Sequence, residues 1–254
     1  MCRHLGYLGP ARAPAELIFD APHSLLRQSF QPADMRGGGT VNADGFGLGW
    51  YDETGEPVRY RRATPLWADE TLPVLAASVK TRAFVAAARN GTPGMPVAEG
   101  ACAPFVDGRW LFSHNGVVMG WPASVATLAG KLPVTELFTL EAPTDSALLW
   151  ALLRDRLRAG EEPLAAVTDL VVAVERAAPG SRLNLLLTNG EVMVATAWTH
   201  SLSVLRGGGA VVIASEPYDQ EPGWVPVPER HAVRVERGGF ELVEIPYSNE
   251  ERSA

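Results

Sequence analysis

Leu183-Asn184-Leu185-Leu186-Leu187-Thr188-Asn189-Gly190-Glu191-Val192-Met193-Val194-Ala195-Thr196-Ala197-Trp198 holds two apolar runs of strand length on either side of an Asn-Gly pair. Asn and Gly tolerate the positive φ that a tight type I′ bend demands, so the stretch predicts an antiparallel hairpin of residues 183–188 and 192–198. Further strand-like runs continue the pattern at 202–205, 210–214, 232–235 and 240–245, with a looser turn at 206–209, and earlier in the chain at 5–8, 47–51, 83–88 and 110–113. Between them, residues 146–158 and 163–177 carry apolar side chains at helical spacing, with Thr144 or Asp145 placed as N-cap and Gly160 and Gly180 beyond the ends. Antiparallel sheets with helices packed outside follow. Strict βαβ alternation is missing, which disfavours a doubly wound nucleotide-binding sheet.

With 254 residues, 46% of them hydrophobic and 20% charged, the chain has the apolar material for a sizeable core. No linker, long like-charge run or internal repeat divides it, so residues 1–254 read as one domain. The net charge of −7 repels phosphate backbones and anionic lipid, so neither nucleic acid nor a membrane is an expected partner. Of 22 basic residues only Lys80 and Lys131 are lysine, which leaves Schiff-base and P-loop chemistries almost without candidates. No apolar run has the length of a membrane span, and Met1-Cys2-Arg3-His4 opens no signal-peptide core, so the expected compartment is the cytoplasm. The histidines and the two cysteines, Cys2 and Cys102, lack metal-ligand spacing, so no metal is expected. The glycines of Asp44-Gly45-Phe46-Gly47-Leu48-Gly49-Trp50 do not complete a dinucleotide fingerprint and read as a turn beside the first strand.

Four places carry chemistry. Cys2 stands where removal of Met1 would leave a thiol and a free α-amine on one residue. An α-amine titrates near 7.7–8.0 and a thiol near 8.5, so such a nucleophile brings its own base. By position alone Cys2 reads first as a small hydrophobe at a terminus, but the run from Arg3 to Gly9 reads as a core strand that would tether it. Ser113-His114-Asn115-Gly116 ends a strand with an amide side chain and a glycine N–H, two donors of the kind an oxyanion needs. Taken alone it also reads as an ordinary Asn-Gly turn. Arg89 leaves an apolar strand into Asn90-Gly91-Thr92-Pro93-Gly94-Met95-Pro96, where its fork can grip a carboxylate. Asp145 lies at a helix start, a position that also suits a plain cap.

In this order, the residue-2 cysteine, the R-x-x-T-x-G turn, the H-N-G turn and the T-D-S helix start resemble the class II glutamine amidotransferases, members of the N-terminal nucleophile hydrolases. The resemblance implies an α+β fold, a four-layer αββα sandwich of antiparallel sheets, and loss of Met1 to expose Cys2 as nucleophile. It also implies Asn115 and Gly116 as the oxyanion hole, Arg89 and Thr92 on the substrate α-carboxylate, and Asp145 on its α-ammonium; His114 beside them reads as a substrate-facing candidate or as a packed strand-end histidine. Many members carry H-T-R-W-A-T-H-G where this chain reads Ala87-Ala88-Arg89-Asn90-Gly91-Thr92-Pro93-Gly94, without the aromatic and the histidine.

Within the class, several stretches are similar to the γ-glutamyl amidohydrolases of ergothioneine biosynthesis, which remove glutamate from γ-glutamyl-hercynylcysteine sulfoxide. They are Asn42-Ala43-Asp44-Gly45-Phe46-Gly47, Pro65-Leu66-Trp67, Arg182-Leu183-Asn184, Ser215-Glu216-Pro217-Tyr218-Asp219 and Pro222-Gly223-Trp224. This similarity implies a small-molecule γ-glutamyl substrate, a Cys2 thioester, and neither metal nor organic cofactor. Trp50 and Trp224 are the aromatics expected to face the trimethylammonium group of the leaving amine. The chain has no room for a synthase domain, which favours hydrolysis over amidotransfer. A glutaminase subunit feeding a separate synthase, an amidohydrolase of another γ-glutamyl compound and a noncatalytic binding protein stay open, as does the oligomeric state.

Overall fold

The computed structural model describes residues 2–36, 41–236 and 238–247. The expected loss of Met1 lies outside the described residues. One antiparallel sheet has seven strands in the order β11 (Trp224–Pro226), β9 (Ser203–Gly207), β10 (Ala210–Ala214), β1 (Arg3–Arg12), β4 (Thr81–Arg89), β2 (Gly45–Tyr51) and β3 (Pro57–Arg62). The second has six, in the order β13 (Gly239–Glu244), β12 (His231–Glu236), β8 (Val192–Ala197), β7 (Arg182–Thr188), β6 (Trp110–Val117) and β5 (Phe105–Asp107). The described α-helices are α1 (Leu25–Gln28), α2 (Thr71–Ser78), the short α3 (Ala126–Ala129) and α4 (Val134–Phe138), then α5 (Asp145–Arg158) and α6 (Pro163–Ala177). None is long and apolar enough to cross a membrane.

Side-chain alternation along the strands explains the layers. In β7, Leu183, Leu185 and Leu187 pack with Trp150, Leu153, Val167 and Leu170 of α5 and α6, whereas Leu186 points the other way, into a core with Val85, Val211 and Ile213 of the seven-stranded sheet. Because both faces are covered, the strand reads as a continuous apolar run rather than an alternating one. A third core, with Leu5, Tyr7, Phe46, Leu48 and Phe84, faces Leu25 of α1 and Leu72 and Ala76 of α2. Each fully buried aliphatic side chain contributes about 1.5–3 kcal/mol relative to exposure, so three such cores hold the expected αββα sandwich together.

The 183–198 stretch forms the expected hairpin, with a different bend. Gly190 has φ +89° but Asn189 does not enter the left-handed region, so the turn is not type I′. Asn189 instead uses its side-chain oxygen to accept from the N–H groups of Glu191 (3.0 Å) and Val192 (2.9 Å). The looser turn is the one with two left-handed residues, Gly208 (φ 60°) and Gly209 (φ 78°), between Gly207 and Ala210. Thr144, not Asp145, caps α5, its hydroxyl accepting from the Ala147 N–H at 3.2 Å.

The glycine run at 45–51 is strand β2 and not a turn, and it lies beside β4 rather than beside β1. A Cβ at position 47 would stand 2.2 Å from the Ala103 carbonyl oxygen, so glycine there lets the 101–104 segment lie against the strand. Strand β3 escapes the apolar pattern because Arg59 and Arg61 point to one carboxylate, Glu141, at 3.0 and 2.6 Å.

Candidate active site

Strand β1 is central in its sheet, paired to β4 through Arg3↔Ala88 and to β10 through Leu5↔Ala214. Cys2 precedes it, half-buried, with its Sγ donating to the Asn90 carbonyl at 3.6 Å. The second thiol is of another kind. Cys102 is fully buried against the Arg62 and Ala98 carbonyls, and burial pushes its pKa up to about 11, so it stays protonated.

The residues after Cys2 fasten it. Arg3, 1% exposed, donates from Nη1 to the Cys2 carbonyl (3.3 Å) and from Nη2 to Glu216 Oε1 (2.7 Å) and the Asp34 carbonyl. Burial pulls the Arg3 pKa below its ordinary value, and the Glu216 carboxylate opposes that pull. Glu216 also accepts from His23 Nε2 (2.8 Å) and from the backbone N–H groups of Ala33 (2.8 Å) and Asp34 (3.1 Å). Backbone, strand and loop thus converge on one carboxylate.

From the second sheet, β6 brings Ser113, His114, Asn115 and Gly116 to the same end. The Asn115 Nδ2 lies 3.3 Å from Ser215 Oγ, and Ser215 Oγ also accepts the His4 N–H at 3.0 Å, which ties the amide to the strand that carries Cys2. The Asn115 Oδ1 is buried without a partner. A serine hydroxyl serves either end of an amide, so turning the group over presents its NH2 to that open position. Gly116 is required by packing, since a Cβ would meet the Arg182 carbonyl oxygen at 1.8 Å.

His114 hydrogen-bonds Ser146 Oγ through Nδ1 and the Arg182 carbonyl through Nε2, both at 2.9 Å, so Nε2 carries the proton. With Cys2, Arg89 and Ser146 it lines a cavity of about 30 Å³ closed by Phe46 and Phe105. Arg89, at the end of β4, is half-buried and makes one long hydrogen bond, 3.4 Å, to the Asp44 carbonyl. Asp145 is buried behind Ser146, accepting from the Val118 N–H (2.9 Å) and the Ser146 N–H (2.7 Å). The structure therefore gathers Cys2, Arg89 and His114 around one space, links Asn115 to it through Ser215, and sets Asp145 one residue behind it.

Thr92 does not line that space; its carbonyl closes a turn with the Met95 N–H at 2.9 Å. Trp50 is five residues along β2 from Gly45, the partner of Arg89, on the face shared with Phe46 and Leu48, roughly 17 Å of strand away. Trp224 is on the far edge strand, edge-on to Tyr218 and donating to Asp219 at 2.7 Å. Neither tryptophan is brought to Cys2. Both fill the outer core because the two-residue period of a strand, not the sequence neighbourhood, decides which way a ring points. Sequence reasoning gave no role to Arg3, Ser215 or Glu216. The signal was present in Ser215-Glu216-Pro217-Tyr218-Asp219, but its meaning needs the distant partner.

His4 and His200 are buried close to His114. Burial, reinforced by their mutual proximity and by Arg3, pushes His4 down to about 3; burial with Arg182 and Arg3 does the same to His200. Both are neutral in the folded protein, whereas unfolded histidine takes its proton near 6.5. The stability linked to them is complete above about pH 6.5 and is lost as the pH falls toward 3. The thermal midpoint is expected to decline steeply between pH 6.5 and 4.5, and a flat profile there would contradict this placement.

A two-sheet sandwich with a residue-2 cysteine opening its central strand has the architecture of the N-terminal nucleophile amidotransferases. Residues 17–218 match the family described as Glutamine amidotransferases class-II, and the chain belongs to it. It is 42% identical over 235 residues, 92% of this chain and 96% of the relative, to the gamma-glutamyl-hercynylcysteine sulfoxide hydrolase of Mycolicibacterium smegmatis. It is 41% identical over 244 residues, 95% and 96% of the two chains, to the protein of that name from Mycobacterium tuberculosis. Among solved structures it is similar to a glutamine aminotransferase class-II domain protein from Silicibacter pomeroyi, with TM-score 0.70, 22% identity and coverage of 96% and 100%. The glutamine phosphoribosylpyrophosphate amidotransferase of B. subtilis superposes with TM-score 0.66 at 16% identity, over 97% of this chain and 50% of that one.

Proposed function

We propose that this protein, acting as one amidotransferase unit, hydrolyses the γ-glutamyl amide of γ-glutamyl-hercynylcysteine sulfoxide to glutamate and hercynylcysteine sulfoxide. The observation that carries the chemistry is the half-buried thiol at residue 2, in one cavity with Arg89 and His114. The substrate is supported by the relatives of that name, at 40–42% identity over most of both chains.

With Met1 removed, the Cys2 α-amine takes the thiol proton and the thiolate adds to the γ-carbonyl carbon. The charge that forms on the carbonyl oxygen is met by the Asn115 amide, turned to donate, and the Gly116 N–H. Collapse breaks the C–N bond, the ammonium of Cys2 returns the proton to the departing nitrogen, and a γ-glutamyl thioester remains. Water, deprotonated by the same amine, adds to the thioester carbonyl, and expulsion of the thiolate frees glutamate. Arg89 leaves its weak contact with Asp44 to hold the substrate α-carboxylate, while Asp145, already anchored by backbone donors, offers its remaining lone pairs to the α-ammonium.

Incubating processed protein with a panel of γ-glutamyl compounds and reading products by mass spectrometry tests the assignment. The kcat/KM for γ-glutamyl-hercynylcysteine sulfoxide is expected to exceed that for glutamine by at least about 10²-fold, on the order of 3 kcal/mol in the barrier. Equal values would point to a glutaminase instead.

A further inference from the structure

We propose that an open cavity on the other flank of Cys2 is the subsite for the amine half of the substrate, and that the Arg27 guanidinium receives a carboxylate of that amine. This rests on the γ-glutamyl hydrolase reading above. Strand β1 lies between β4 and β10, so Cys2 has two flanks. The β4 flank carries Arg89 and the small cavity. On the β10 flank, the register Leu5↔Ala214, Ala214↔Ser203 and Ser203↔Pro226 brings the ends of β10, β9 and β11 level with the start of β1. These ends and the 22–36 segment wall a cavity of about 850 Å³. That is within the range of small-molecule sites, roughly 300–1,000 Å³.

Two of its lining residues, Ser215 and Glu216, are the groups that hold the Asn115 amide and Arg3. The cavity wall is therefore one hydrogen bond from the Asn115 amide and one ion pair from Arg3, the residue after the nucleophile. An amide acylating Cys2 directs its acyl chain and its nitrogen to opposite sides of the carbonyl carbon. With the glutamyl chain toward Arg89 and Asp145, the nitrogen faces the β10 flank.

The lining suits a dipolar ligand, since it presents Arg27 and Arg36 together with Asp34 and Asp219. Arg36 is engaged by Asp34 at 2.9 Å, and Asp219 accepts the Trp224 indole N–H. Arg27 is exposed and pairs with no carboxylate among the described residues, so its fork is available for one from a ligand. A quaternary ammonium on the same ligand would face Asp34 and Asp219 rather than the tryptophans.

The test compares kcat/KM for γ-glutamyl-hercynylcysteine sulfoxide with that for glutamine, whose leaving group is ammonia, on the full chain with a processed Cys2 terminus. In Arg27→Gln the ratio of the two values is expected to fall at least tenfold through a raised KM for the sulfoxide, and further in Arg27→Glu. Arg82→Gln, which removes an exposed cation outside both cavities, keeps the wild-type ratio. An unchanged ratio in both Arg27 variants, or equal loss on both substrates, overturns the subsite. Wild-type protein that does not prefer the sulfoxide overturns the underlying function without reference to any variant, so the two failures are told apart.

Discussion

Protein that keeps Met1, or carries an uncleaved N-terminal tag, is expected to turn over γ-glutamyl substrate about 10²-fold to 10⁴-fold more slowly than the processed chain, the usual size of losing a general base. Acylation by a preceding residue converts the Cys2 amine to an amide, which has no basic lone pair, and leaves the thiol intact. Cys102 cannot stand in, because burial holds its proton on to about pH 11. Mass spectrometry reports the terminus, and iodoacetamide is expected to label Cys2 and spare buried Cys102. Normal turnover by demonstrably unprocessed protein would remove the α-amine from the mechanism.

The second large effect is on stability. Glu216→Gln keeps shape but takes the carboxylate away from the Arg3 guanidinium, 1% exposed. Breaking a buried pair on one side costs about 3–5 kcal/mol, which for a chain of this size lowers the thermal midpoint by roughly 10 °C or more. The double variant Arg3→Met, Glu216→Leu removes both charges and is expected to recover much of the loss, because a buried pair replaced by apolar groups of similar volume is often neutral. Activity does not return with it: the Cys2 carbonyl and the Ala33 and Asp34 N–H groups have lost their anchors. A Glu216→Gln protein that melts with the wild type would show that the pair carries no such weight.

Local chemistry accounts for what was legible in the sequence. The 183–198 hairpin, the α5 and α6 periodicities and the alternating runs depend on residues a few positions apart, and residue 2 is an address that needs no fold to be noticed. The order of motifs was enough for the family, and from the family came the αββα sandwich. The type of the 189–191 bend was not legible, because an Asn side chain that bonds to the next backbone N–H groups competes with the left-handed conformation its neighbour Gly190 suggests.

Tertiary structure alone decided the rest. Which strands flank β1 is a matter of long-range pairing, for which apolar runs of similar length are interchangeable, and that pairing sets Arg89 on one side of Cys2 and Ser215 and Glu216 on the other. Register sent Trp50 and Trp224 into the outer core, since moving one position along a strand turns a side chain to the opposite face. Arg3 and Glu216 are each unremarkable in the sequence, an arginine beside the nucleophile and a glutamate in a Pro-containing turn. They acquire a role because folding removes both from water in the same place, where a charge persists only with its partner.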